Sequence, residues 1–181
     1  MSRHSLTVLL SAEEIHRRIG ELAGQIDQDF PDGPLYLVAV LKGACFFVAD
    51  LARAIQRPVR LEFLGVSSYG ATTSSSGRIT VTKDLDAAID NADVVLVEDI
   101  VDTGTTLEFL LAHIEKRRPR SLRVAALLDK PGRRLRPVKI HYAGFRIPNE
   151  FVVGYGLDFA EDYRALPDIC VLPSDCPTGR K

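Results

Sequence analysis

No stretch of this chain stays apolar for long enough to serve as a signal sequence core or a membrane-spanning helix. That absence sets the expectation of a cytoplasmic protein with no membrane partner. Cysteine is scarce: Cys45, Cys170 and Cys176 are an odd number in a chain of 181 residues, with no CxxC pair. This argues against a disulfide framework. Cys45 falls in an apolar helical stretch and is expected to be a buried small hydrophobe. Neither sign of charge is in surplus, because 23 Lys+Arg face 24 Asp+Glu for a formal net charge of -1. The chain as a whole therefore does not attract nucleic acid or anionic lipid, and any anion site must be built locally. His4, His16, His113 and His141 lack metal-ligand spacing. The patterns G-x-x-x-x-G-K-[ST] and G-x-G-x-x-G are both absent, which excludes the usual ATP loop and the dinucleotide fingerprint.

What is present is sufficient for one compact domain over residues 1–181, with 46% hydrophobic residues to supply a core. Ser11 to Glu14 reads as a capping box that opens a helix with Ile15, Ile19, Leu22, Ala23 and Ile26 on one face. Pro31-Asp32-Gly33-Pro34 ends it. Leu35 to Leu41 is a continuous apolar run, suited to a strand buried on both faces of a parallel sheet. A helical pattern then runs from Ala44 to about Ile55, followed by an alternating strand at Val59, Leu61 and Phe63. Ser67 to Gly77 reads as a long polar loop. Val94 to Val97 and Leu122 to Leu128 are further buried strands. Glu98 to Thr106 between them reads as a polar turn, and Leu107, Leu110, Leu111 and Ile114 mark a helix. Short strands and loops are expected after Lys130. Alternating strands and helices imply an α/β fold with a mainly parallel, twisted sheet flanked by helices. In such sheets ligands bind beyond the carboxyl ends of the strands, so the turns after Leu41, Val97 and Leu128 are expected to converge.

The stretch from Val94 to Leu107 carries the most chemistry. A buried strand delivers Glu98 and Asp99, then Asp102, and then Thr103-Gly104-Thr105-Thr106 open a helix. Free N–H groups at a helix start bind phosphate, small hydroxyls add donors, and glycine permits close approach. The adjacent carboxylates suit ribose hydroxyls or hard cations. Together these features describe a site for a phosphorylated ribose. Two basic runs, Lys116 to Arg120 and Arg133-Arg134 with Arg136, read as solvated faces rather than a nucleic-acid surface.

Val94 to Leu107 resembles the phosphoribosyl pyrophosphate motif of the phosphoribosyltransferase family. The resemblance narrows to the hypoxanthine-guanine members through Leu41-Lys42-Gly43, Ser68-Tyr69-Gly70, Lys83 to Asp86, Asp129-Lys130-Pro131, Phe151 to Asp158 and Tyr163-Arg164, in that order. It covers about Ser5 to Leu172. It implies a type I phosphoribosyltransferase-like fold with a small hood, in which residues of about 130–165 and the N-terminal segment form a purine-binding flap. It implies purine salvage: hypoxanthine or guanine displaces pyrophosphate from phosphoribosyl pyrophosphate to give IMP or GMP, with Mg²⁺ as cofactor and a homo-oligomer, dimer or tetramer, as the assembly.

The family pattern also assigns roles. Thr103, Gly104, Thr105 and Thr106 hold the 5-phosphate, and Glu98 and Asp99 the ribose hydroxyls, directly or through metal. Asp102 handles the proton on purine N7. Lys42, Gly43 and Arg164 meet pyrophosphate, and the Leu41–Lys42 peptide can be cis. Lys130 donates to purine O6, Phe151 stacks on the ring, and Val152 offers backbone contacts. Asp158 binds a second magnesium near pyrophosphate and the far edge of the base. Ser68 and Tyr69 belong to a lid. Alternatives are a xanthine-preferring transferase, or a regulator that senses phosphoribosyl pyrophosphate and binds nucleic acid. An adenine specialist is disfavoured, because the Lys130 ammonium suits a 6-oxo group.

Overall fold

A computed structural model describes residues 6–68 and 79–173. The chain runs β1 (Thr7–Leu10), α1 (Ala12–Asp29), β2 (Leu35–Leu41), α2 (Cys45–Ala54), β3 (Val59–Ser68), β4 (Ile79–Lys83), β5 (Asp93–Val101), α3 (Thr105–Glu115), β6 (Ser121–Asp129), a 3₁₀ turn (Pro131–Arg133), β7 (Tyr142–Arg146), β8 (Val152–Val153) and β9 (Ile169–Val171). Six strands form the main sheet in the order β4-β3-β2-β5-β6-β7. All neighbours in it are parallel except β3 and β4. This is the expected α/β architecture.

Strand periodicity divides the core between two faces. Leu35, Leu37, Ala39, Val95, Val97, Ala125 and Leu127 point to the face covered by α1 and α2. Tyr36, Val38, Val40, Val94, Leu96, Val124 and Ala126 point to the face covered by α3. The continuous apolar runs of β2, β5 and β6 thus reflect strands covered on both sides. Helix α1 begins with both halves of the Ser11–Glu14 capping box, and its predicted apolar positions are all buried. Asp84 accepts from His113 (2.9 Å) and pairs with Arg117 (2.6 Å), which ties the segment after β4 to α3.

A second, three-stranded sheet, β1-β9-β8, sits apart from the first and joins segments from opposite ends of the chain. Its own cluster is small, with Val153, Cys170 and Leu172 buried and Leu6, Phe159 and Tyr163 against them.

The structure corrects three sequence expectations. Glu98 to Val101 are strand, not turn: β5 continues to Val101, which pairs with Asp129. Ser67 and Ser68 are still within β3, whose partner β4 was not anticipated. Cys45 is only half-buried at the start of α2, whereas Cys170 is the buried thiol. Cys176 lies outside the described residues, as do Tyr69 of the expected lid, the Ser-rich segment after it and the chain beyond Pro173. No described helix is long and apolar enough to cross a membrane.

Candidate active site

The carboxyl end of β5 carries Glu98 and Asp99 as strand residues, an acidic pair in sequence. Glu98 is 6% exposed. Burial, then the neighbouring Asp99 charge, pushes the Glu98 carboxyl well above the usual range. Burial likewise pushes Asp99 up to about 6, against hydrogen bonds from the Ile100 and Asp99 backbone N–H groups and the Arg164 charge, with Asp158 adding to the rise. Both adjacent carboxyls thus resist ionisation in the fold itself, and a cation or hydroxyl donors from a ligand would favour their charged form. Among the described residues, no three carboxylate, imidazole or thiol side chains converge as a ready-made metal cage.

After Val101 the chain turns through Asp102, Thr103 and Gly104 into α3. Gly104 is the N-cap residue, in the left-handed region at φ 85°, and no side chain caps the helix. The start of α3 therefore keeps donors that a capping Thr would have used, and its positive dipole end faces the turn. Thr103 Oγ1 lies 3.3 Å from Thr105 Oγ1 and 3.4 Å from the Thr105 N–H, and Thr106 is exposed. Asp102 Oδ1 is buried without a hydrogen-bond partner among the described residues. The Arg133 Nε 3.4 Å away is at ion-pair distance only.

The segment after β6 clamps this turn. The Leu135 and Arg136 N–H groups donate to the Thr103 carbonyl at 2.9 and 3.0 Å, and the Lys130 N–H donates to the Val101 carbonyl at 3.0 Å. Arg134 donates to the Asp102 carbonyl at 3.1 Å and the Val101 carbonyl at 3.3 Å, and pairs with Asp129. Its side chain is only 18% exposed, so Arg134 is not part of a solvated basic face as the sequence suggested. The same clamp explains Gly104. A Cβ there would stand 2.9 Å from the Arg136 carbonyl and 3.1 Å from Arg134 Cδ.

Lys130 is buried at the end of β6, and its Nζ donates to the Glu150 carbonyl at 2.5 Å. Burial lowers its pKa, opposed by the nearby Asp102 charge. The bond to Glu150 brings Lys130 beside Phe151, which is 53% exposed and meets only the edge of Phe159 at 5.6 Å. Val152 is buried in β8, opposite Val171. Lys130, Asp102, Phe151 and Val152 therefore fall in one region between the two sheets.

On the other side of Asp99 lies the turn after β2. The Leu41–Lys42 peptide is cis. Gly43 approaches so closely that a Cβ would meet Asp99 Oδ2 at 1.6 Å. Gly156, at φ 99°, comes against the Gly43 carbonyl, which a Cβ would meet at 2.1 Å. Its neighbour Tyr155 anchors to Asp50 of α2 at 2.6 Å. Arg164 donates to the Gly156 carbonyl at 2.7 Å and pairs with Asp158 at 2.7 Å, while its Nε is buried without a partner among the described residues. Asp158 also accepts from the Glu161 N–H at 2.8 Å. Lys42 Nζ pairs with Glu161 at 2.8 Å.

Lys42, Gly43, Asp99, Asp158 and Arg164 thus surround one pole of the site, and Asp102, Thr103 to Thr106 and Lys130 the other. Ser68 ends β3. Sequence reasoning missed Arg134 and Glu161. A lone arginine after a turn, or a glutamate in an acidic loop, has no local pattern to distinguish it, and only the distant partners reveal either one.

A sequence profile of the phosphoribosyl transferase domain matches residues 6–160. A hypoxanthine-guanine phosphoribosyltransferase of Mycobacterium avium is 53% identical over 172 residues, covering 92% of this chain and 85% of its own. The enzyme of that name from Bacillus subtilis is 42% identical over 173 residues, 95% of this chain and 96% of its own. Among solved structures, a hypoxanthine phosphoribosyltransferase from Trypanosoma cruzi in complex with the product IMP has a TM-score of 0.88 at 42% identity, covering 97% of this chain and 98% of its own. A hypoxanthine-guanine phosphoribosyltransferase from Bacillus anthracis also has a TM-score of 0.88, at 44% identity over 92% of this chain and 98% of its own.

Proposed function

The chain belongs to the phosphoribosyltransferase family, with the type I fold of its structural neighbours, and from that premise we propose how it works as an enzyme of purine salvage. It transfers the phosphoribosyl group of phosphoribosyl pyrophosphate to hypoxanthine or guanine, giving IMP or GMP and pyrophosphate. The observation that carries this reading is the convergence of the turns after β2, β5 and β6. It places a phosphate-ready helix start, an acid pair and a Lys–Arg pole around one space.

Thr103, Gly104, Thr105 and Thr106 hold the 5-phosphate, supported by the uncapped start of α3. Glu98 and Asp99 hold the ribose hydroxyls. Lys42, the Gly43 backbone and Arg164 hold pyrophosphate, and the planar Arg164 fork has a spare buried donor in Nε. Lys130 donates to purine O6, Phe151 stacks on the ring through its exposed face, and Val152 offers its backbone. Asp102 receives the N7 proton. Its orphaned oxygen and its electrostatic contact with Lys130 support that assignment, since N7 and O6 are neighbouring atoms of one purine edge. The lid role that the resemblance gives Ser68 and Tyr69 falls on the end of β3 and on a residue outside those described.

The acid pair also fits Mg²⁺. Glu98 and Asp99 stand side by side with raised pKa values, so a divalent cation would favour their charged form, and few protein oxygens suffice for an ion that keeps several waters. When bound, Mg²⁺ would supply positive charge against the pyrophosphate leaving group. Asp158 is the third metal-side carboxylate in this reading, and it must exchange its bond to Arg164 to act there. The same reading assigns the flap of about 130–165 to the purine, the cytoplasm to the protein and a homo-oligomer, dimer or tetramer, to the assembly.

The test is to incubate the protein with phosphoribosyl pyrophosphate, magnesium and each of hypoxanthine, guanine, xanthine and adenine, and to quantify nucleotide and pyrophosphate. Magnesium-dependent IMP or GMP, falling about 10²–10⁴-fold in Asp102→Ala, is the expected result. Product from xanthine alone would change the substrate and keep the mechanism. No product from any base, with phosphoribosyl pyrophosphate bound, would overturn the reading.

A further inference from the structure

Glu161 occupies ground that the proposed reaction reserves for an anion. Its carboxylate accepts from Lys42 Nζ at 2.8 Å and lies 3.7 Å from Arg164 Nη2, so one side chain engages both cations assigned to pyrophosphate. Those bonds hold the Glu161 carboxyl below its usual range, the hydrogen bond from Lys42 first. Two acidic groups also face this pole: Asp158, paired to Arg164, and Asp99, which senses both Arg164 and Asp158.

The backbone is bent to place Glu161 there. Ala160, Glu161 and Tyr163 all take positive φ, at 53°, 67° and 75°. Side chains adopt this region only at a cost, and such residues cluster where geometry serves function. Reciprocal bonds between Phe159 and Asp162, at 3.2 and 3.1 Å, close the turn, and the Glu161 N–H is held by Asp158 at 2.8 Å. The turn is thus fixed at its base. The Glu161 and Lys42 side chains remain 69% and 65% exposed, within reach of an entering ligand.

We propose that Glu161 is a built-in anionic placeholder for pyrophosphate, holding Lys42 and Arg164 and competing with pyrophosphate for them. This rests on the function proposed above. Entering phosphoribosyl pyrophosphate displaces the Glu161 carboxylate, and the carboxylate returns as pyrophosphate leaves. Glu161 therefore weakens binding of free pyrophosphate and hastens its release, a step that limits turnover in many enzymes.

The experiment is calorimetric titration of the ligand-free protein with pyrophosphate, with and without magnesium, beside steady-state kinetics. Glu161→Gln removes the competing charge and keeps the shape. An exposed pair is a weak competitor, so pyrophosphate binding should tighten about two- to fivefold. KM for phosphoribosyl pyrophosphate should fall in step, and KM for the purine should not move. Glu161→Asp, charged but shorter, should fall between, and the gain should shrink in a Lys42→Met background. Pyrophosphate binding that is unchanged or weaker in Glu161→Gln would overturn the proposal, weaker binding marking Glu161 as a ligand-side group instead. If Glu161→Gln does not melt like the parent, Glu161→Ser carries the same comparison. Wild-type turnover is measured first, so a failed function and a failed placeholder role are told apart.

Discussion

Arg134 offers the sharpest test of the way the turn from Val101 to Gly104 is held. Replacing it with Met keeps most of the aliphatic stem and removes the guanidinium. Three acceptors lose a donor: the Asp102 and Val101 carbonyls and the Asp129 carboxylate. The Val101 carbonyl keeps the Lys130 N–H. Asp129, whose side chain is 10% exposed, keeps only the peripheral Arg146 at 3.7 Å. Removing one member of a buried pair costs about 3–5 kcal/mol, and the residual Arg146 contact argues for the lower end, about 3 kcal/mol. For a domain of this size about 2–4 °C is lost per kcal/mol, so the melting temperature should fall by about 6–12 °C. Activity should fall further than stability explains. The carbonyls released belong to the turn bearing Asp102, the proposed proton acceptor, and an error of about 1 Å in such a group costs on the order of 10²-fold. Calorimetric melting and kcat at a temperature where the variant is fully folded measure the two effects separately. Arg134→Met paired with Asp129→Leu should recover stability, because the unpaired buried charge is gone, without recovering kcat. A melting temperature within about 2 °C of the parent together with unchanged kcat would refute the clamp.

Gly43→Ala places a methyl group 1.6 Å from Asp99 Oδ2 and so must displace the acid or the turn after β2. It should abolish detectable phosphoribosyl pyrophosphate binding in calorimetry while far-ultraviolet circular dichroism stays native, and a binding-competent alanine variant would contradict the packing. Asp99 titrates near 6 in the fold against an ordinary value near 3.8, and it titrates together with Glu98. The folded protein therefore binds more protons than the unfolded chain between about pH 4 and pH 6, and the pair's contribution to stability falls as pH rises through that window. Asp99→Asn should accordingly raise the melting temperature at pH 7.5 and do little at pH 4.5, with a ceiling on the order of 3 kcal/mol. Magnesium-dependent binding of phosphoribosyl pyrophosphate to the parent should weaken as pH drops through about 6, since the ion must displace protons from the pair.

Much of the architecture was legible because local pattern and tertiary environment agree. The run from Leu35 to Leu41 is β2 to the residue, since a strand covered on both faces has no polar positions to blur its ends. Ser11 and Glu14 mark the start of α1 by a bond pattern that is itself local. The extension of β5 through Glu98 and Asp99 was not legible. Acidic residues read as turn, and only the pairing with β6 keeps them extended to Val101. Strand β4 alternates between half-buried and exposed positions and is held by β3, which its own five residues do not announce. The proposed site residues were read from the order of several short motifs. Glu161 escaped because its partner Lys42 is 119 positions away, and Arg134 because its hydrogen bonds go mostly to backbone, which leaves no trace in residue type.

The small sheet has a consequence for how the protein comes into being. Thr7 pairs with Val171 and Val8 with Cys170, so the first described strand waits for the last. The main sheet needs nothing beyond Arg146 and can close while synthesis continues. At about 5–20 residues per second, β1 spends on the order of ten seconds outside the ribosome as an unpaired edge. Val8, still 54% exposed after folding, is part of that edge. The nascent chain thus passes through an interval in which its main sheet is complete and its small sheet is not, with Phe151, Asp158 and Arg164 still to be placed. Any chaperone that favours exposed strand edges has its opportunity then.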